Sequence, residues 1–96
     1  MMSEFMGQIH GAYDAKAGGF VPGGVSLHNP VNGHGPDRAS DERAVGAELK
    51  PHKIENTTAF MFETRHVVRT THWATQSSPM QLDYDAVWAG LEKSDR

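Results

Sequence analysis

The sequence predicts a mainly β chain with helices at its flank, an α+β arrangement with too few strands to close on itself. Three observations lead there. Side-chain polarity alternates over residues 4–10. Runs rich in Thr, Val, Phe and Met recur over 57–63 and 67–73. Helical signals are confined to 38–49 and 83–91. Three or four strands cannot complete a sandwich or barrel, so the sheet is expected to be open.

In the first run Glu4, Met6, Gln8 and His10 point one way and Phe5, Gly7 and Ile9 the other. That is a strand with one polar face. Residues 11–24 read as loop, with Tyr13 and Phe20 as its anchors. Next comes PGGVSLHNPVNGHGPD over 22–37. Pro22, Pro30 and Pro36 remove backbone donors and fix φ, so no regular helix or central strand is expected through it. Flexible linkers lack paired histidines and apolar anchors, whereas this stretch has His28, His34, Val25, Leu27 and Val31. It reads as a shaped loop pinned to a core, with glycines that let backbone approach a metal or small ligand.

Asp37 reads as a helix N-cap, with Asp41 and Glu42 near the first turn. The helix is expected to run to about Leu49, with Ala39, Val45 and Leu49 as a thin apolar side and Pro51 as its stop. The strands at 57–63 and 67–73 are expected to pair antiparallel through Thr64, Arg65 and His66. Residues 76–79 form a turn. Tyr84, Val87, Trp88 and Leu91 then fall at i, i+3, i+4 and i+7, one face of a last helix capped by Asp83 or Asp85. Trp73 and Trp88 are expected as packing anchors.

Ninety-six residues allow one small domain. The net charge of −3 leaves no basic face for nucleic acid or an anionic membrane. The absence of cysteine excludes disulfide frameworks, zinc fingers and thiol nucleophiles, and is compatible with a reducing cytoplasm. No apolar run approaches membrane-spanning length, and the N-terminus has no signal-peptide pattern. The patterned segment starts abruptly after Met1, as expected of a piece of a larger protein. The Gly18-Gly19 and Gly23-Gly24 pairs lack phosphate-loop spacing, and Ser26 near His28 is no nucleophile elbow.

The residues with chemistry to offer are Glu4 on the polar strand face, His34 between two glycines, His28 and Tyr13. Two histidines and one carboxylate on one face of a metal are the donor set of non-haem Fe(II) oxygenases. On residue type alone Glu4 reads first as a solvated carboxylate and His34 as an exposed, inert loop imidazole. Tyr13 reads equally as an amphipathic anchor, and His28 as a loop histidine with its bonds satisfied. His10, His52, His66 and His72 receive no role.

Five pieces stand in one order along the chain: MSEFMG at 2–7, GGFVPGG at 18–24, SLH at 26–28, HGPD at 34–37 and AFMFE at 59–63. Together they resemble the C-terminal part of the homogentisate 1,2-dioxygenase family. The resemblance implies that residues 1–96 belong to a cupin-like, jelly-roll β-sandwich and supply only some of its strands. It implies an Fe(II) enzyme that cleaves homogentisate with O₂ to 4-maleylacetoacetate, in tyrosine and phenylalanine catabolism. Glu4 and His34 would be metal ligands, and Tyr13 and His34 would bind substrate. His28 would stand behind the ligands or on the substrate. The family's first histidine ligand lies six residues before the carboxylate, ahead of Met1, and its acid–base histidine lies further upstream. An isolated chain with this incomplete set is expected to be inactive, at most associating with full-length subunits, which form trimers and hexamers. A cytoplasmic location is expected.

Overall fold

The fold is organised by β1 (Ser3–His10), the middle strand of a three-stranded antiparallel sheet. Its neighbours are β2 (Val25–His28) and β3 (Thr58–Thr64), in the order β2–β1–β3. The computed structural model describes residues 1–13, 20–77 and 79–91. Glu4 stands opposite His28 on one side and Glu63 on the other, and Phe5 opposite Leu27 and Phe62. Because side chains alternate along each strand, this register sorts the sheet into two faces. Glu4, Met6, Ser26, His28 and Met61 share one. Phe5, Gly7, Val25, Leu27, Phe60 and Phe62 share the other.

The polar face is the covered one. Loop residues close over it, and Phe20, 5% exposed, is the one buried large apolar side chain among the described residues. The apolar face stays largely open, with Phe62 67% and Val25 60% exposed. On that face the Phe60 ring lies directly over Gly7, where any Cβ would collide with it.

Residues 22–37 hold one short strand, β2, and it lies at the edge of the sheet, where the prolines exclude only a helix or a central strand. It lies in the longest run there without Gly or Pro, residues 25–29, and an edge strand needs no more. Gly23, at φ +86°, turns the chain into it. Gly23 then donates its N–H to the Gln8 carbonyl at 2.9 Å, and Gln8 donates to the Gly24 carbonyl at 3.1 Å. The anchoring expected of Val25 and Val31 fails, since they are 60% and 80% exposed.

α1 (Arg38–Gly46) begins as expected. The Asp37 carboxylate accepts the Ser40 N–H at 2.7 Å, and Arg38 and Glu42 pair at i, i+4. It stops short of Leu49, because Val45 and Leu49 are exposed and have no surface to pack on.

The expected strand over 67–73 is absent, and β3 pairs with β1 instead. Residue 68 has its backbone groups taken by a side chain: Asn29 accepts the Val68 N–H at 2.8 Å and donates to its carbonyl at 3.0 Å. Thr71 then caps a short helix, α2 (His72–Gln76), by accepting the Ala74 N–H. Trp73 is exposed rather than an anchor. The last helix is a single 3-10 segment, Tyr84–Trp88. Leu91 lies beyond it, and the Asp83 side chain makes no cap bond. Among the described residues no helix is long and apolar enough to cross a membrane.

Candidate metal centre

The centre is built where β1, the end of β2 and the loop after β2 meet. Alternation aims Glu4 at the covered face. Pairing sets His28, the last residue of β2, directly across from it. The chain then reverses at Asn29–Asn32, where Asn32 donates its N–H to the Asn29 carbonyl. Pro30 fits the second position of such a turn, and Val31 takes the positive φ (+69°) that its third position requires. The reversal returns His34 over β1.

There the His34 Nε2 lies 2.9 Å from Glu4 Oε2, a hydrogen bond that becomes an ion pair when the imidazole is protonated. Both side chains are 28% exposed. His34 Nδ1 faces the Asn32 carbonyl at 3.3 Å. The His28 and His34 rings stack with centroids 4.1 Å apart and planes within 4°. Donor atoms of Glu4, His28 and His34 all lie within 4.8 Å of one another. Glu63, directly across from Glu4, places a second carboxylate on the same face. Like charges so paired are unfavourable unless a cation is nearby.

These donors fit a hard or borderline divalent ion. Two ligands at about 2.0–2.2 Å and a right angle stand about 3.0 Å apart, and the His34–Glu4 separation matches. A proton on Nδ1, donated to Asn32, would leave Nε2 free for the metal, the usual backbone support of a metal histidine. The stack assigns the two histidines different positions. An imidazole lone pair lies in its ring plane, so the stacked rings of His28 and His34 direct theirs into parallel planes.

A cavity of about 250 Å³ opens beside the cluster, lined by Glu4, Met6, Tyr13, Phe20, His28 and His34 among others. Tyr13 and Phe20 meet edge to face at 5.9 Å. The structure thus gathers Glu4, His34, His28 and Tyr13 around one space. His10, His52, His66 and His72 stand outside the cluster.

Tyr84 and Trp88 were missed as site residues. Tyr84 Oη lies 3.1 Å from His28 Nε2, and Trp88 Nε1 donates to the Gly35 carbonyl at 3.1 Å. Their i, i+4 spacing was visible in the sequence, but apolar helix spacing signals packing and does not say against what.

A family model described as homogentisate 1,2-dioxygenase C-terminal matches residues 1–95. The chain is 57% identical over 94 residues to homogentisate 1,2-dioxygenase of Pseudomonas savastanoi pv. phaseolicola, covering 98% of this chain and 22% of that protein. It is likewise 57% identical over 94 residues to the protein of that name from Pseudomonas syringae pv. tomato, with the same coverage. With the one from Pseudomonas putida (strain GB-1) it shares 56% over 91 residues, 95% of this chain and 21% of that protein. The chain spans about a fifth of the length of these relatives.

Proposed function

Because the chain belongs to the homogentisate 1,2-dioxygenase family, whose C-terminal part it matches, we propose that it carries part of an Fe(II) site for ring cleavage of homogentisate. The reaction would consume O₂ and yield 4-maleylacetoacetate, in the tyrosine and phenylalanine catabolism of the cytoplasm. The observation that carries this reading is the meeting of Glu4 and His34 at 2.9 Å across 30 residues of sequence. A strand carboxylate and a loop imidazole brought edge to edge beside a cavity suit a metal better than a solvated surface.

In this reading Glu4 and His34 hold the ion, and the third protein ligand is the family's histidine six residues before Glu4. Bound Fe(II) would supply a centre at which an oxygenated aromatic substrate and O₂ can exchange electrons. The chain's own residues do the rest. His34 donates through Nδ1 to Asn32, which holds its ring in the orientation that presents Nε2. The Tyr13 phenol, on the cavity wall, donates a hydrogen bond to a substrate oxygen. His28, stacked on His34, would meet the substrate or support His34. Phe20 and Met6 keep the wall apolar and limit water. The sheet would be one portion of a cupin-like sandwich in a trimeric or hexameric enzyme.

The open apolar face favours a second reading for the chain by itself. It would be a catalytically silent piece that associates with full-length subunits. Two measurements test these readings. Purified 96-residue chain, given Fe(II) and homogentisate at an oxygen electrode, is expected to show no uptake; steady uptake coupled to maleylacetoacetate formation would overturn the need for the upstream residues. In the full-length protein, Tyr13→Phe is expected to weaken homogentisate binding by about 1.5–3 kcal/mol, the worth of one strong hydrogen bond, with iron content unchanged. Loss of iron with unaltered substrate affinity would contradict this division of roles between Tyr13 and the two ligands.

A further inference from the structure

The 3-10 helix reaches the metal centre twice, and neither contact involves a ligand atom. Tyr84 places its hydroxyl 3.1 Å from His28 Nε2, and its ring centroid lies 5.8 Å from that of His28. Trp88 lies 6.4 Å from the His28 ring and 5.2 Å from Tyr84, nearly perpendicular to it. The Trp88 indole N–H is spent on the carbonyl of Gly35, the residue directly after His34. One short helix therefore grips both halves of the histidine stack. Tyr84 holds the His28 ring, and Trp88 holds the backbone that carries the His34 ring.

Glu4 and Asn32 hold the His34 ring, but the loop backbone that carries it has little support of its own. Gly33 and Gly35 flank His34, and a Cβ at either would meet nothing within 4 Å. Stacking fixes the tilt of an imidazole but leaves it free to slide and to turn in its own plane. A hydrogen bond to a ring nitrogen removes the in-plane freedom of His28, and one to Gly35 removes the slide of His34. We infer that Tyr84 and Trp88 are positioning residues of the metal centre, which set the orientation of Nε2 of His34 through the His28 ring and the Gly35 carbonyl. The inference rests on the metal-site reading above, and the test separates the two.

The test uses Tyr84→Phe, Trp88→Phe and the double variant of the 96-residue chain. Tyr84→Phe removes only the hydroxyl, whereas Trp88→Phe removes the indole N–H together with part of the ring that packs near His28 and Tyr84. Trp73→Phe, at an exposed tryptophan, is the control. Circular dichroism verifies that each remains folded. In the metal-free chain, the ring-proton NMR signals of His28 and His34 are expected to lose the shifts imposed by stacking in the double variant and to keep them in the control. In Co(II) titrations, each single variant is expected to lose about tenfold in affinity and the double variant up to about 100-fold, the range typical of groups that orient metal ligands. The Co(II) absorption spectrum should change in the same order, which general loosening of the fold would not produce. Unaltered histidine signals in a folded double variant overturn the inference. So do unaltered Co(II) affinity and spectrum in a chain that binds the metal. A wild-type chain that takes up no Co(II), while its variants still lose the stack, defeats the metal-site reading and leaves the positioning role standing.

Discussion

Val31 holds a conformation its side chain resists. At φ +69° its branched Cβ crowds the backbone, and left-handed φ costs an ordinary residue about 1–2 kcal/mol. Glycine adopts it freely but gives up about 0.5–1 kcal/mol of chain entropy on folding. Val31 is exposed, so nothing apolar is lost by removing it. Val31→Gly is therefore expected to stabilise the chain by up to about 1 kcal/mol, read as a higher denaturant midpoint with unchanged slope. A lower midpoint would mean the valine is held by contacts rather than strained. This residue also marks a limit of the sequence. Pro30 announced a turn, but the third position of a turn with positive φ normally announces itself with glycine, and valine gives no such sign. His34 between two glycines was legible as a presented side chain because glycine leaves the backbone room to bring it forward.

Among the elements, β1 could be read from period-two alternation, β3 from its Thr-, Phe- and Met-rich composition, and Asp37 from its capping chemistry. The stretch 67–71 could not. Val67, Val68, Thr70 and Thr71 have strand propensity, yet propensity forms no ladder without a free partner, and β1 already had β3 and β2. Asn29 replaces the ladder with two bonds to one residue, while Ser3, buried on β1, donates its hydroxyl to the His66 carbonyl at 2.6 Å. Asn29→Ala should release this segment at a cost of about 1–2 kcal/mol, since both bonds are solvent-accessible and water can replace part of each. Amide exchange at Val68 should quicken well beyond that of β3. Equal exchange rates in variant and wild type would show that the segment is held elsewhere. β2 was hidden by its prolines, which flank the strand rather than interrupt it.

For the molecule as a whole, the sheet has its apolar face outward. Phe5, Val25, Phe60 and Phe62 form a largely open surface, while the covered face carries the polar cluster. An apolar surface of this kind marks a contact site or an aggregation hazard. Both outer edges of the sheet are also unpaired among the described residues. The isolated chain is expected to enhance the fluorescence of a hydrophobic dye and to associate as its concentration rises. Phe62→Lys, at an exposed position, should reduce both without lowering helix or strand content. Dye binding and association that survive the substitution would place the contact surface elsewhere. At this scale the sequence showed the alternation but not which face the loops would cover. That choice is made by Glu4, Tyr13, Phe20 and the histidines together, and no single one of them states it.

The order of the strands in the chain has a consequence in time. β1 is the centre of the sheet, yet it precedes both partners, and the residues that steady the histidines follow all three strands. Eighty-four positions separate Glu4 from Trp88. At ~5–20 residues per second a ribosome needs about 4–17 s to cover that distance. Until Thr64 has been added the first strand lacks a partner on one or both sides, the kind of long-range pairing that slows folding and exposes edges. A nascent chain arrested before Tyr84 would hold Glu4 and His34 with no brace behind them. If the cluster takes an ion, that ion would meet braced histidines only in a polypeptide already extended past Trp88.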